Sequence, residues 1–241
     1  MTATTLRKPV DVVDSRREKH ILDAMYGLVL RLGYRKVCMQ DVANEAHVGK
    51  GTIYLHWSSK DELFDALLLR ETDRVRTQLG TTLRRRPDLV DFGHTAALLY
   101  QGMMSDPLLR AYNRGDATVL GIRACRPGCP DRLGISLVSS LSHPGYVGLL
   151  RKHELVTDDA DSEPGRVAIG AIVGGFVLRP DGEEGPGQYA ACAKLLGMTL
   201  GRSFGRTPNH RRSRCEAALA EMVTPDRGWM PSPARDVDTD R

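Results

Sequence analysis

One short stretch of the chain, residues 48–57, carries hydrogen-bond donors at a spacing that suits contact with a phosphate backbone. Val48, Ile53 and Trp57 fall close to whole helical turns, so they predict a buried seam along one side. The hydroxyl, imidazole and ammonium groups on the other side can donate to phosphate oxygens, so the stretch points to DNA. These donors, with one that follows the stretch, are Lys50, Thr52, Tyr54, His56 and Lys60.

Three further helices are predicted around this stretch. Residues 15–32 have the apolar period of an amphipathic helix, with a Ser-x-x-Glu capping box at the start and Gly33 after the end. A short helix over about residues 39–46 leads through a tight turn into the donor helix, and a fourth helix begins at Ser59. Two short helices joined by a tight turn, behind a longer one, predict a helix-turn-helix that places its second helix in a major groove.

The same residues resemble the DNA-binding domain of the TetR family of bacterial transcriptional regulators. The resemblance covers about residues 15–65, roughly a quarter of the chain, and its spacing is specific. Its motifs are Gly33-Tyr34, Asp41-Val42-Ala43, Val48-x-Lys50-Gly51-Thr52-Ile53-Tyr54-x-His56-Trp57 and Ser59-Lys60-x-x-Leu63.

The resemblance implies an all-α fold, with an N-terminal helix-turn-helix domain and a larger helical domain for ligand binding and dimerisation. It implies a homodimer on a palindromic operator in double-stranded DNA, a repressor released by a small-molecule effector, or an activator of the same fold. The predicted domains are a flexible basic arm at 1–14, the helix-turn-helix domain at 15–60, the effector-binding and dimerisation domain at 61–223 and a disordered tail at 224–241.

Seven residues are predicted to contact DNA. Gln40 and Lys50 face the groove in the helix-turn-helix arrangement, and Gly51 lets the backbone approach the base edges. The alternative for Lys50 is a solvated lysine near a phosphate, and the alternative for the phenol and imidazole donors is packing within the small domain. The predicted phosphate contacts are Thr52, Tyr54, His56 and Lys60.

Four positions depart from the family pattern. His47 stands where the family usually has Gly in the turn, so it must adopt a left-handed backbone at a cost of roughly 1–2 kcal/mol. Gly49 stands where Ser usually opens the recognition helix, which removes a side-chain cap. Val37-Cys38 replaces a pair that often carries hydroxyl groups, which weakens one DNA contact.

Charge supports the DNA-binding prediction without the resemblance. Residues 1–60 hold ten Lys or Arg against six Asp or Glu, an excess equal to the net charge of +4 of the whole chain. The remaining residues therefore balance, and the basic excess coincides with the helix-turn-helix.

The larger domain contains Met and aromatic side chains close together in sequence, and such side chains adapt to irregular apolar ligands. The alternative is that they form an ordinary core. The resemblance implies a small-molecule effector without naming it. The predicted ligand-binding residues are Phe92, Tyr100, Met103, Met104 and Tyr112.

Two late segments, residues 165–178 and 187–203, predict helices that are apolar or small-residue-rich on most faces and need cover on each. In the family that the chain resembles, two late helices from each subunit pack as a four-helix bundle. The alternative is that both helices fill the domain's own core. The predicted dimer-interface residues are Ile169, Ile172, Val173, Phe176, Leu195 and Leu196.

Other chemistries have less support in the sequence. Its five cysteines are odd in number and lack a repeated metal-type spacing, so reduced thiols are expected. Cys125 and Cys129 leave open a zinc site or a redox switch, and an enzyme is the remaining alternative class, with no Ser, His and carboxylate set behind it. No metal and no cofactor are predicted.

Length and composition set the remaining limits. A chain of 241 residues with 41% hydrophobic residues has room for a small domain and a larger one with its own core. No apolar run approaches the roughly 20 residues that span a bilayer, and residues 1–14 lack the apolar stretch of a secretory signal. The sequence predicts a cytoplasmic protein with no membrane partner.

Overall fold

The computed structural model describes residues 9–121, 131, 133–178, 186–206 and 211–222. Within these ranges the regular structure is helical, except for an isolated bridge between Val156 and Gly205, and the predicted all-α fold is confirmed. Short 3-10 turns lie at Pro87–Leu89 and Asp158–Asp161. The α-helices in this part of the chain are α1 (Pro9–Leu32), α2 (Met39–Glu45), α3 (Lys50–His56), α4 (Lys60–Arg85), α5 (Phe92–Ser105), α6 (Pro107–Arg114), α7 (Ala117–Leu120), α8 (Leu137–Leu141), α9 (Pro144–Lys152), α10 (Glu163–Val177), α11 (Pro186–Phe204) and α12 (Arg211–Met222).

The described chain divides into two compact units. The first unit comprises residues 9–68 and 115–121, and the second comprises residues 69–114 and the described residues from 131 onward. The first unit thus extends beyond the domain end predicted at residue 60 and includes a segment from later in the chain. The predicted tail, 224–241, lies outside the described residues.

The first unit is held together by one apolar cluster. Ile21, Met25 and Val29 recur along one face of α1 and are completely or almost completely buried. Val42 from α2 and Ile53 from α3 close the cluster without exposed surface, and burial of each such side chain contributes about 1.5–3 kcal/mol. The apolar residues that recur with the helical period therefore form the core of this unit.

The predicted start of α1 is wrong. The helix begins at Pro9 instead of Ser15, so the Ser15–Glu18 pair lies inside the helix and does not cap it. The predicted end is correct, because α1 finishes at Leu32 and Gly33 follows with a φ of 77°, which a glycine adopts without strain.

The turn between α2 and α3 is tight and hydrogen-bonded. The Val48 N–H donates to the carbonyl of Ala43 at 3.0 Å, which reverses the chain within a few residues. His47 has a φ of 54°, so the predicted left-handed backbone is confirmed. Gly49 precedes α3 without a side-chain cap, as its lack of a side chain predicts.

One helix of the first unit was missed by the sequence analysis. Ala117–Leu120 forms α7, which is capped by the Asp116 carboxylate, and this carboxylate accepts from the Thr118 N–H at 2.8 Å. The carbonyl of Val119 accepts from the Tyr34 N–H at 2.8 Å. This bond fastens the segment to the turn between α1 and α2.

The second unit is built around the crossing of α5 and α11. A Cβ atom added at Gly93 would lie 2.5 Å from the carbonyl oxygen of Gly197, so only glycine permits this approach. Gly201 adjoins Gly93, whereas Ala97 adjoins Gly197, which shows that the two helices run antiparallel. In the same unit α8 ends at Leu141 and α9 begins at Pro144, so two residues separate these helices.

Candidate nucleic-acid interface

Helix α3 has one anchored side and one exposed side, as the sequence predicts. Ile53 is 0% exposed and Trp57 is 9% exposed, so both fix the helix to the core of the first unit. Lys50, Tyr54 and Leu55 project outward and are exposed. An amphipathic helix of this kind can enter a groove without losing its own packing.

Lys50 and Tyr54 form one polar patch on α3. They lie one helical turn apart, and the Lys50 Nζ is 5.7 Å from the centre of the Tyr54 ring. This cation–π contact orients an ammonium and a phenol toward the same side. Gly51 lies between them, and a Cβ there would meet nothing within 4 Å, so the backbone of α3 is accessible at this point.

Leu55 is a surface residue that the sequence analysis missed. Its exposed fraction of 83% is the largest among the exposed large hydrophobic residues of the described chain. An apolar side chain in a major groove can contact the C5-methyl group of thymine. The signal was present in the sequence, because Leu55 is apolar but falls outside the seam of Val48, Ile53 and Trp57.

Thr52 and Gln40 have hydrogen-bond partners within the first unit. Thr52 is half-buried in the first turn of α3, where its N–H donates to the carbonyl of Gly49 at 2.9 Å. Gln40 is exposed on α2, and its amide donates to the side chain of Asn44 at 2.9 Å.

The start of α2 is stabilised by a carboxylate. The Cys38 N–H donates to the Asp41 side chain at 2.8 Å. Hydrogen bonds from the side chain and the backbone of Cys38 lower the pKa of the Asp41 carboxyl, which therefore stays ionised at the helix N-terminus.

His56 lies toward α1 instead of toward solvent. Its Nδ1 is 3.1 Å from the Glu18 carboxylate, and its side chain is only 13% exposed. The ring also contacts Trp57, with 5.4 Å between the ring centres. His56 therefore joins α3 to α1, whether or not its other nitrogen reaches a phosphate.

Lys60 is engaged with the turn that precedes α2. Its ammonium donates to the carbonyls of Tyr34 at 3.1 Å and Val37 at 2.9 Å. The same ammonium lies 4.2 Å from the centre of the Tyr34 ring, and the Tyr34 hydroxyl donates to Asp61. Lys60 thus has a structural role in addition to its predicted role as a phosphate contact.

The predicted ligand-binding residues lie in the interior of the second unit. Phe92, Met103 and Met104 have no exposed surface, and the hydroxyl of buried Tyr100 donates to the Phe176 carbonyl at 3.1 Å. Tyr112 is half-buried, and its hydroxyl donates to the Asp131 carboxylate at 2.7 Å. A cavity of about 580 Å³ lies between α5 and α11, and of these five residues Phe92 alone lines it.

The predicted dimer-interface residues differ in how far they are buried within their own chain. Ile169, Val173 and Leu196 are 0% exposed within their own chain, whereas Leu195 is 55% exposed. Ile172 and Phe176 are half-buried. The large apolar residues that α10, its end and α11 leave exposed are Val167, Leu178, Leu195 and Met198.

The zinc site and the redox switch that the sequence left open both depend on residues that the structure does not describe. Cys125 and Cys129 lie outside the described residues, and Cys38, Cys192 and Cys215 form no disulfide with one another. Across the described ranges no three His, Cys, Asp or Glu residues form a group that could hold a metal ion. None of the helices described here is long and apolar enough to cross a membrane.

Comparison with known proteins agrees with this geometry. The family described as "Bacterial regulatory proteins, tetR family" matches residues 21–67, which span α1 to the early part of α4. A DNA-binding transcriptional repressor TetR of Mycobacteroides abscessus is 31% identical over an alignment 136 residues long, which covers 43% of this chain and 72% of that protein. The chain belongs to the TetR family.

Other relatives of this TetR-family regulator match over shorter segments. The HTH-type transcriptional repressor KstR of Rhodococcus jostii is 32% identical over 106 residues, 42% of this chain and 50% of that repressor. The chain thus spans about half the length of the KstR relatives that it matches. The crystal structure of a putative TetR-family regulator from Mesorhizobium loti has the same fold, with a TM-score of 0.51 at 14% identity, over 80% of this chain and 98% of that one.

Family membership decides between the classes that the sequence left open. TetR-family proteins are DNA-binding transcriptional regulators and not enzymes.

Proposed function

We propose that this TetR-family regulator is a cytoplasmic repressor that binds a palindromic operator as a homodimer and releases it when a small molecule occupies the second unit. The observation that carries the proposal is the exposed patch of Lys50, Tyr54 and Leu55 on a helix anchored by Ile53 and Trp57. Relatives in Rhodococcus and Mycobacteroides are named as repressors, which favours repression over activation.

In this proposal α3 reads bases and its neighbours hold the backbone. Lys50 donates to guanine, Leu55 contacts a thymine methyl group, and Gln40 pairs with adenine at the edge of the same groove. The phosphate contacts are Thr52, Tyr54, His56 and Lys60, which position the helix without reading sequence. The internal bonds of His56 and Lys60 support this role, because they hold the two side chains in fixed positions.

Dimerisation is proposed to use the exposed apolar surface of α10 and α11. Leu195 is 55% exposed on α11, and Val167 is 66% exposed on α10. Cover by a second copy removes this apolar area from water. A two-fold dimer then presents two α3 helices to successive major grooves.

The first test selects operator sequences from a random DNA library with the full chain and measures the variants Lys50→Ala and Leu55→Ala on the selected site. Each variant is expected to cost about 1–3 kcal/mol per half-site and to relax preference at one base pair. The Leu55 variant is expected to lose discrimination between thymine and uracil, which lacks the methyl group.

Arg35→Ala, an exposed basic residue of the first unit outside α3, is the matched control for charge loss. It is expected to leave base preference unchanged. Selection of a site without two-fold symmetry, or equal loss of affinity by Lys50→Ala on every sequence, would contradict the proposed reading of DNA.

A further inference from the structure

The crossing of α5 and α11 leaves an elongated groove on the second unit. Because Gly93, Gly197 and Gly201 bring the two backbones together, the side chains on either side of them form its walls. The groove has a volume of about 580 Å³, within the roughly 300–1,000 Å³ typical of small-molecule sites.

The two ends of this groove differ in chemistry. Ala97 and Leu98 on α5 face Ala190 and Ala193 on α11, so one end has apolar walls, with Gln101 and Lys194 among its polar residues. The other end of the groove lies where α11 finishes, next to Arg206. The basic residues that line this end are Arg202, Arg206 and Arg211, with His94 beside them.

The basic end has an excess of positive charge. Asp91 is the only carboxylate among the lining residues, and it is already paired with Arg211 and with the His94 Nδ1, which lies 2.7 Å away. Arg202 and Arg206 are exposed and form no ion pair among the residues that the structure describes. Their guanidinium groups can therefore donate bidentate hydrogen bonds to an anion.

We propose that this groove binds an amphiphile whose anionic group, a carboxylate or a phosphate, pairs with Arg202 and Arg206 while its apolar body lies between Leu98 and Ala193. The proposal rests on the proposed function, because it assigns the chemical class and the site of the effector. It also differs from the predicted pocket, since buried Met103 and Met104 lie in the core and not in this groove.

The test is calorimetric titration of the full chain with four monomeric probes that share one apolar body. Dodecanoate and dodecyl phosphate are expected to bind, whereas dodecanol and dodecyltrimethylammonium are expected to bind at least about tenfold more weakly. The ratio between the two anions identifies the head group, and either order supports the site.

Variants then locate the binding. Replacing both arginines, Arg202→Gln with Arg206→Gln, is expected to lower the affinity for both anions by about tenfold or more and to leave that for dodecanol unchanged. Ala190→Trp places a large side chain at the exposed apolar end and is expected to remove the binding of all probes. Arg212→Gln is the matched control, because Arg212 is 82% exposed on α12 and does not line the groove.

Equal binding of dodecanol and dodecanoate would overturn the proposal, as would full anion affinity in the double arginine variant. The same protein is tested in a gel shift on the selected operator. Groove binding without operator release would leave the site supported and contradict the proposed release, whereas release that persists in Ala190→Trp would place the effector elsewhere and overturn the inference.

Discussion

The two units assemble their candidate contacts in different ways. The first unit collects most of them on α3, a helix of seven residues, whereas the groove of the second unit combines residues far apart in sequence, such as His94 and Arg206. A contiguous motif has a spacing that can be read from the sequence. A groove made by two helices depends on how those helices cross, and the sequence does not display that crossing.

The basic residues of the two units also differ in what they contact. In the first unit the ammonium of Lys60 and the imidazole of His56 have partners within the protein, although both were predicted as phosphate donors. In the second unit Arg202 and Arg206 attracted no functional prediction and have no carboxylate partner among the described residues. Residue type alone therefore does not decide which cations are available to a ligand.

The largest expected effect tests whether α11 really has an interior side and a surface side. Leu196→Glu buries an unpaired charge in the second unit, so it is expected to reduce the free energy of unfolding by several kcal/mol. Leu195→Glu lies on the exposed side and is expected to give a folded monomer. Thermal melts and sedimentation measure the two outcomes; a folded dimer for Leu195→Glu would contradict the proposed interface.

The next effect concerns the internal bonds of Lys60. Lys60→Ala leaves the carbonyls of Tyr34 and Val37 without their donor, so it is expected to destabilise the first unit by about 1–3 kcal/mol. It is also expected to weaken binding to operator and random DNA alike. Exposed Lys36, changed to Ala, is the control for stability; an unchanged melt for Lys60→Ala would show that its internal bonds contribute nothing.

A smaller effect is expected in the turn between α2 and α3. Glycine adopts the left-handed backbone of His47 without a Cβ clash, so His47→Gly is expected to stabilise the first unit by up to about 1 kcal/mol, after its greater freedom in the unfolded chain is subtracted. His47→Ala keeps the clash and separates it from loss of the imidazole. Denaturant titration compares them, and equal stability of the Gly and Ala variants would argue against backbone strain.

The smallest effect concerns Asp131 in the second unit. Burial raises the pKa of its carboxyl, but hydrogen bonds from Tyr112 and Ser136 outweigh burial, and the net pKa is lowered. A lowered folded pKa means that the ionised group stabilises the protein above its ordinary pKa and loses this contribution as pH falls through the folded value. Asp131→Asn is therefore expected to be less stable than wild type at neutral pH, with the difference narrowing in acid. Partial exposure keeps the effect small.

Much of the fold was predictable, because its determinants are local. The period of apolar residues located α1 to α4, and Gly33 marked the end of α1. The start of α1 was missed because a Ser-x-x-Glu pattern inside a helix looks the same as one that caps it. Helix α7 was missed because a four-residue helix has too few turns to show a period.

The candidate site was predictable only where exposure follows from the helical period. The exposure of Lys50 and Tyr54 was predicted in this way. Leu55 was not predicted as a contact, because only polar donors were considered. The internal partners of Lys60 could not be predicted, since Tyr34 and Val37 are more than 20 residues away in sequence and come close to it only in the folded unit. Tyr100 and Met103 look alike in sequence whether they line a pocket or fill a core, and here they fill a core.

The hydrogen bond between Tyr34 and Val119 limits how the first unit can be exchanged between proteins. The first unit is not one uninterrupted piece of the gene, because its α1–α2 turn is completed by a segment encoded after α6. A fragment that stops at Leu68, or a chimera that exchanges only the region matched at 21–67, would leave the Tyr34 N–H without its acceptor. Grafting this DNA-binding unit onto another ligand-binding partner therefore requires two exchanged segments instead of one.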